Sequence, residues 1–186
     1  LFPHPRPSWG VAADEVLFVH RGKGTMESMF GTLKFGEGDY IIVPRGVIHT
    51  LTFDTDENRL FFVESSGPVD TPHHYRNQYG QLLEHAPYCE RDLHGPAEPH
   101  HVEGTDVEVL VKHRTSAGVV GSRLTYATHP FDVVGWDGCL YPYTFNIEDY
   151  MPITGKVHQP PPVHQVFEGH NFVICNFLPR KVDYHP

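Results

Sequence analysis

Short apolar runs separated by turn residues constrain the fold of this chain more than any other feature. The runs begin at Val16, and glycine, proline or aspartate marks a turn after about every eight to twelve residues. Strand length and spacing of this kind are typical of an all-β sandwich or barrel, and no segment shows a sustained helical period. The sequence therefore predicts an all-β fold, with strands at 16–20, 25–30, 40–43, 48–53, 59–64, 107–113, 122–128 and 171–177.

Composition excludes several classes of function. The 186 residues carry a formal charge of −9 with only 14 Lys plus Arg, whereas a nucleic-acid surface needs many cationic side chains. No apolar run approaches the length of about 18 residues that a membrane-spanning helix requires. The cysteines, Cys89, Cys139 and Cys175, are odd in number and widely spaced, which favours a reducing, cytoplasmic location over a disulfide framework.

The middle of the chain has a different character. Residues 67–101 are rich in proline and histidine and have little periodicity, so they are predicted to form a long loop insertion on the surface. The histidines in or beside it are expected to be solvated or to lie at an interface, with pH-dependent subunit contacts as the sharper alternative. They are His73, His74, His94, His100, His101 and His113.

Residues 38–49 fit a barrel motif of defined spacing. Gly38, Pro44, Gly46 and His49 match the second cupin motif, G-x5-P-x-G-x2-H, at every defined position. Glycine turns the chain into the strand, proline ends it, and the second glycine makes the corner. Upstream, Glu15 is followed by a glycine seven positions later, as in the first cupin motif. The chain thus resembles the cupin barrels, the jelly-roll form of an all-β fold.

This first barrel is predicted to be structural and to carry no metal. A metal-binding cupin has two histidines shortly before the glutamate, and Trp9 and Val11 stand at those places. Glu15 and His49 are then the remaining members of a four-ligand set, and two ligands do not hold a divalent cation tightly. His49 is expected to be hydrogen-bonded in the barrel mouth.

A histidine-rich stretch, VHQPPPVHQVFEGHNF at 157–172, is the other candidate for a metal site. His164, Glu168 and His170 form H-x3-E-x-H, and even separations on a strand allow the three side chains to face one side. The alternative is that they bond a neighbouring loop or line a channel, and we favour it because an apolar strand follows directly. Whether any of the three contacts a metal stays open at this point.

Six blocks of sequence together resemble one enzyme family. They are DEVLFVHRGKG (14–24), FGEGDYIIVPRGVIHTL (35–51), PFDVVGWDG (130–138), YPYTFNIEDYMPI (141–153), VHQPPPVHQVFEGHNFVIC (157–175) and FLPRKVDYHP (177–186). In this order they resemble homogentisate 1,2-dioxygenases and their bacterial homologues. The resemblance implies an iron(II)-dependent enzyme that cleaves the ring of homogentisate with O2 to give maleylacetoacetate, in tyrosine and phenylalanine breakdown. It also implies a homo-oligomer, a trimer or hexamer.

The resemblance assigns parts of the chain to two barrels. Residues 1–130 correspond to an N-terminal cupin barrel without metal, with the loop-rich excursion at about 67–104. Residues 131–186 correspond to the inter-barrel segment and the beginning of a second, iron-binding barrel that appears in part only. Family members hold Fe(II) with two histidines and one glutamate, the first pair spaced as H-x5-E. No convincing H-x5-E occurs here, so the iron ligands are expected beyond Pro186.

One catalytic residue follows from the resemblance. His158 lies where the family has a histidine proposed to act as acid or base on the substrate hydroxyl, and imidazole suits that role because it titrates near neutral pH. A loop histidine bonded to backbone carbonyls is the alternative. No substrate-binding residue is assigned, although a hydroxyl of Tyr141, Tyr143 or Tyr150, or the guanidinium of Arg180, could meet an anionic substrate. These tyrosines and Phe145 are otherwise expected to pack between barrels.

Two other functions are also compatible with the sequence. A cupin that performs no catalysis could serve as a binding or assembly domain, which the incomplete ligand sets favour for this stretch alone. A cupin dioxygenase acting on another aromatic acid is the second alternative.

Overall fold

The computed structural model describes residues 8–11, 13–97, 101–132, 140–154 and 161–179. Strands are the main regular elements within these ranges. They are β1 Ser8–Val11, β2 Asp14–Arg21, β3 Gly24–Ser28, β4 Gly31–Phe35, β5 Asp39–Val43, β6 His49–Phe53, β7 Arg59–Ser65, β8 Val107–Thr115, β9 Gly118–Tyr126, β10 Tyr143–Asn146, β11 Gln165–Gly169 and β12 Phe172–Cys175. Short 3-10 turns lie at His73–Tyr75, Glu90–Asp92, Ile147–Asp149 and Pro161–His164.

The strands form three sheets. A six-stranded sheet has the order β4-β3-β6-β1-β8-β9, a four-stranded sheet has the order β10-β5-β2-β7, and β11 pairs with β12 as a hairpin. The prediction of an all-β fold is confirmed, and each predicted run of residues overlaps a strand. None of the helical segments in the described part of the chain is long and apolar enough to cross a membrane.

Strands β2 and β5 are buried on both faces. Successive side chains of a strand point to opposite sides, so Val16 and Leu17 enter two different hydrophobic clusters. Tyr40 and Ile41 on β5 divide in the same way. The four-stranded sheet is therefore the central layer, with one apolar core on each of its faces.

The first core lies between the two larger sheets. Val19 and Ile41 from the central layer meet Met26 on β3 and Leu33 on β4, and none of these side chains exposes more than 3% of its surface. Edge-to-face packing of Phe35 on Phe53, with ring centroids 5.5 Å apart, extends this core. It joins the six-stranded sheet to the central layer.

The second core lies on the opposite face of the central layer. Val69 and Tyr88, from the loop-rich segment, pack there with Val166 and Phe167 of β11. Tyr88 also donates a hydrogen bond to the backbone carbonyl of Val166. In the described residues of the predicted loop insertion, 67–97 and 101, the structure has two 3-10 turns and no strand. This segment is not only surface, because it supplies part of a core.

Most histidines of this region are exposed, as predicted. His73, His74, His94, His101 and His113 all lie at the surface, whereas His100 falls outside the described residues.

The aromatic segment after residue 140 contains a strand that the sequence did not predict. Residues 143–146 form β10, which pairs antiparallel with β5 through Thr144 opposite Ile41. Phe145 is fully buried and Tyr150 is 2% exposed, so both pack in the second core, while Tyr141 is exposed. That they pack between two barrels stays a prediction. The division of the chain into two domains at about residue 130 stays a prediction.

Phe145 offers a test of the second core. Phe145→Ala removes a ring that is 0% exposed and leaves a cavity, so the free energy of unfolding should fall by about 3–5 kcal/mol. The matched control is Phe61→Ala, because Phe61 on β7 is 66% exposed and its loss should change stability by less than about 0.5 kcal/mol. Urea unfolding of both variants measures the difference, and equal losses would contradict this packing.

Candidate functional site

Glu15 and His49 lie together in the interior, as the barrel motif predicts. Glu15 is on β2, paired with Val43 of β5 and Glu64 of β7, and is 5% exposed. Gly46 has φ of 80° in the turn that ends β5, and this turn leads into β6 at His49. The Nε2 atom of His49 lies 3.9 Å from Oε2 of Glu15. The two cupin-like positions therefore meet although they belong to different sheets.

The protonation state of His49 follows from its surroundings. Burial lowers the pKa of His49, so its ring is neutral near pH 7, although the hydrogen bond to the backbone of Val47 acts in the other direction. That bond joins Nδ1 to the carbonyl oxygen of Val47 over 3.1 Å, and a carbonyl can only accept. Nδ1 therefore carries the proton, and Nε2 turns its lone pair towards Glu15. The predicted hydrogen bonding of His49 is confirmed.

Lys112 supplies a positive charge to this cluster. Its ammonium lies 3.4 Å from Oε1 of Glu15 and 3.1 Å from Oε2 of Glu64. It also lies 5.1 Å from the ring centroid of Phe62. Burial raises the pKa of Glu15, and the charge and hydrogen bond of Lys112 act to lower it. Lys112 thus stabilises a carboxylate that would otherwise resist ionisation.

The backbone register explains how Lys112 reaches Glu15. Trp9 and Val11 stand where metal-binding cupins have their first two histidines, and both lie on β1. Trp9 pairs with His49 across β1 and β6, and Val11 pairs with Lys112 across β1 and β8. Strand β8 therefore brings the ammonium beside the positions at which ligands are missing.

This buried cluster does not fit a divalent cation. Glu15 and His49 offer two ligand atoms, and the ammonium of Lys112, 3.4 Å from Glu15, would repel a metal ion between them. The ammonium of Lys112 balances the charge of the Glu15 carboxylate in place of a metal ion. The lack of a metal in this part of the protein stays a prediction, and Lys112 is a physical reason for it.

The residues of the histidine-rich stretch separate in the structure. His158 and Arg180 lie outside the described residues, so the role of His158 stays a prediction. His164 is 3% exposed, and its ring stacks on Phe177 with centroids 4.8 Å apart. Exposed His170 lies in the turn between β11 and β12. Neither histidine joins Glu168 in a compact group of three ligand atoms within the ranges that the structure describes.

Glu168 instead contacts the loop-rich segment. Its carboxylate accepts a hydrogen bond from the backbone N–H of His73 at 3.0 Å. The imidazole of His73 also contacts it, with Nδ1 3.0 Å from Oε2 of Glu168. Partial burial acts to raise the pKa of Glu168, but the hydrogen bonds and charge of His73 together with Arg76 lower it overall. The prediction that Glu168 bonds a neighbouring loop is confirmed. His73, His74 and Glu168 could together hold a cation.

An apolar cleft opens beside the central layer. It encloses about 200 Å³ between β2, β5 and β7 on one side and β12 on the other. The residues that line the cleft are Val16, Phe18, Tyr40, Phe61, Val63, Ile174 and Cys175. Burial raises the pKa of the Tyr40 phenol to about 12, so the hydroxyl stays protonated. It donates a hydrogen bond to Oδ1 of Asn176 at 2.7 Å. These walls carry no charged group to receive a carboxylate.

Comparison with known proteins identifies the family. The family model for the N-terminal part of homogentisate 1,2-dioxygenase matches residues 10–147, which include Glu15, His49 and Lys112. The chain belongs to this family. The resemblance inferred from the sequence blocks is thereby confirmed.

Individual relatives differ in how closely they match. A protein of Saccharolobus solfataricus, provisionally named a dioxygenase, is 42% identical over 174 residues, which cover 93% of this chain and 44% of the relative. The homogentisate 1,2-dioxygenase of Rhodopseudomonas palustris is 26% identical and that of Bradyrhizobium diazoefficiens 25%. Each of these two alignments covers 83% of this chain and 34% of the relative. The chain thus spans less than half the length of these relatives.

Lys112 can be tested by removing its charge. In Lys112→Met the buried carboxylate of Glu15 loses its cation, so unfolding should require about 1–3 kcal/mol less free energy near pH 8. Because the variant raises the pKa of Glu15 further, protonation at lower pH relieves the penalty, and the loss should shrink near about pH 5. Urea unfolding at both pH values measures it.

The control for this experiment is Lys34→Met, since Lys34 is an exposed lysine on β4. That change should alter stability little and equally at both pH values. A loss in Lys112→Met that does not depend on pH would show that Lys112 acts through packing of its aliphatic stem instead.

Proposed function

We propose that this chain is part of an iron(II)-dependent dioxygenase that cleaves the ring of homogentisate with O2 to give maleylacetoacetate. Membership of the homogentisate 1,2-dioxygenase N-terminal family over residues 10–147 carries the proposal. Relatives named homogentisate 1,2-dioxygenase align over most of the chain and support the substrate. Cytoplasmic location, a role in tyrosine and phenylalanine breakdown, and assembly as a trimer or hexamer belong to the same proposal.

The proposal includes a finer description of the fold. The six-stranded and four-stranded sheets would be the two walls of a cupin barrel, since their shared core contains Val43 and Val47, which flank the turn of the cupin motif. The segment from about residue 131 would lead into a second cupin barrel. In this arrangement the first barrel is a scaffold whose interior charge is balanced by Lys112.

The described residues do not fit the iron that the family implies. The buried pair Glu15 and His49 has too few ligands and an ammonium beside it. The group of His73, His74 and Glu168 is open to solvent, with 79% of the His73 side chain exposed, and so offers no sheltered cavity for an aromatic substrate. The iron ligands would therefore lie outside these residues.

The contribution proposed for this chain is a proton transfer. His158 would accept the proton of a phenolic hydroxyl as the substrate binds, which an imidazole near neutral pH can do. The prolines around His158, at positions 160–162, restrict the backbone and would hold the ring in place.

Two observations favour other functions. The relative with 42% identity is named a dioxygenase without a substrate, which leaves room for another aromatic acid. The interior ammonium of Lys112 and the exposed Phe61 and Val119 on β7 and β9 suit a non-catalytic binding or assembly domain.

Oxygen uptake distinguishes these functions. The full-length polypeptide with added Fe(II) should consume O2 and form a ring-cleavage product with homogentisate, and uptake should vanish without iron. Gentisate, an aromatic acid that lacks one methylene of the side chain, serves as the competing substrate. Faster turnover of gentisate would favour a different substrate, and no product from iron-loaded protein with either acid would overturn the enzymatic proposal.

His158→Ala tests the proposed base. Turnover of homogentisate should fall by about 10²–10⁴-fold while the iron content stays near that of the unaltered protein, because the residue moves a proton and binds no metal. The matched control is His113→Ala, an exposed histidine on β8, which should keep full turnover. If His158→Ala abolishes iron binding, the residue is a ligand instead of a base.

A further inference from the structure

We propose that His73, His74 and Glu168 form a second cation site, selective for a divalent transition metal of the zinc or nickel type. One ligand atom from each residue lies within 4.8 Å of the other two. Two imidazoles and one carboxylate are a donor set that suits divalent transition metals such as zinc, nickel and iron, whereas calcium and magnesium prefer oxygen alone. The site would join the loop-rich segment to strand β11.

The backbone brings the three residues together without a metal. Asp70 and Glu168 exchange two backbone hydrogen bonds of 2.9 Å, which fix the end of β11 against the loop. His73 and His74 follow within the 3-10 turn His73–Tyr75. The backbone N–H of His73 also donates to Oε1 of Glu168 at 3.0 Å. Most of the ordering that binding requires is thus already present in the fold.

The distances suit a metal after small side-chain movements. Ligand atoms about 2.1 Å from a zinc ion lie roughly 3–3.5 Å from one another in tetrahedral or octahedral geometry. Nδ1 of His73 and Oε2 of Glu168 are already 3.0 Å apart. His74 has to close the remaining gap. Its ring is exposed to solvent on one side and packs on Tyr75 with centroids 4.1 Å apart, so rotation towards the metal would give up part of that contact.

Outer contacts orient two of the ligands. Nε2 of His74 lies 3.2 Å from the carbonyl oxygen of Pro162, which can only accept, so Nε2 carries the proton and Nδ1 keeps a lone pair. The side-chain amide of Gln165 donates to Oε2 of Glu168 at 3.3 Å. Hydrogen bonds to ligand side chains are typical of metal centres, and the bond to the second ring nitrogen of a histidine fixes its tautomer and ring orientation.

One nearby charge opposes the cation. Nη2 of Arg76 lies 3.8 Å from Oε1 of Glu168, but Nη1 of the same guanidinium is bound to Asp70 at 2.7 Å. Asp70 therefore holds Arg76 to one side and compensates much of its charge. The remaining repulsion should weaken the site without abolishing it, and this makes Arg76 a useful probe.

The experiment is a titration of metal-depleted full-length protein with Ni²⁺, followed by calorimetry. The unaltered protein should bind one more nickel ion than His73→Ala, or its affinity for this nickel ion should be at least about tenfold higher. Glu168→Gln should lose nickel binding to the same extent as His73→Ala. The ring of His73 is 79% exposed, so its removal should leave folding intact, which circular dichroism without metal checks. Nickel should raise the melting temperature of the unaltered protein more than that of either variant.

Two further variants make the test specific. His170→Ala removes an exposed histidine two residues after Glu168 and should leave nickel binding unchanged. Arg76→Gln removes the opposing charge and should tighten binding by about two- to fivefold at physiological salt. Equal nickel binding by the unaltered protein, His73→Ala and Glu168→Gln would overturn the proposal, and so would an equal loss in His170→Ala. Oxygen uptake with homogentisate is measured separately, so failure of the dioxygenase proposal would leave this result intact.

Discussion

Burial of β2 and β5 on both faces is the constraint on which the rest of the structure depends. Consecutive residues such as Val16 and Leu17 enter different cores, so neither face of this sheet can be left to solvent. The six-stranded sheet covers one face. The other face is covered by the loop-rich segment, through Val69 and Tyr88, and by strand β11. A segment without regular strands thus serves as a structural layer, because the central sheet requires an apolar cover on that side.

The same central sheet creates an electrostatic requirement at Glu15. A carboxylate that is 5% exposed needs a compensating cation, which a metal ion or an ammonium group can supply. His49 cannot supply it, because burial keeps its ring neutral by lowering its pKa. Lys112 supplies it from β8, beside the strand β1 positions where a metal-binding cupin has histidines. Lys112 therefore supplies the positive charge that a metal ion would supply if β1 carried the two histidines of a metal-binding cupin.

The sequence predicted those parts of the fold that local pattern determines. Apolar runs bounded by turns marked β2, β3 and β5 to β9, but not β1 or β4 of the six-stranded sheet. The cupin spacing placed Glu15 near His49. Strand β10 was missed because its four residues follow Pro142 and carry no alternation long enough to recognise. The apolar residues of the loop-rich segment were missed as core because they have no period.

Contacts between distant segments account for what the sequence could not predict at the candidate sites. Lys112 is 97 positions from Glu15, and the parallel pairing of β1 with β8 decides their contact. The sequence likewise predicted that Glu168 bonds a loop but could not name His73, which lies 95 positions away, as the residue that it contacts. The signal that existed was chemical: a lysine that directly follows the apolar residues 109–111 of β8, and two adjacent histidines in a loop.

The contrast between Glu15 and Glu168 shows what decides whether such a carboxylate can serve a metal. Each lies beside a histidine and a basic side chain, so the donor types alone do not distinguish them. At Glu15 the ammonium of Lys112 is shared only with another carboxylate on the same wall, and burial prevents rearrangement. At Glu168 the guanidinium of Arg76 is held mainly by Asp70, and the histidines can still move. The number of ligand atoms and the position of the competing cation therefore both favour Glu168 over Glu15 as a place for a metal ion.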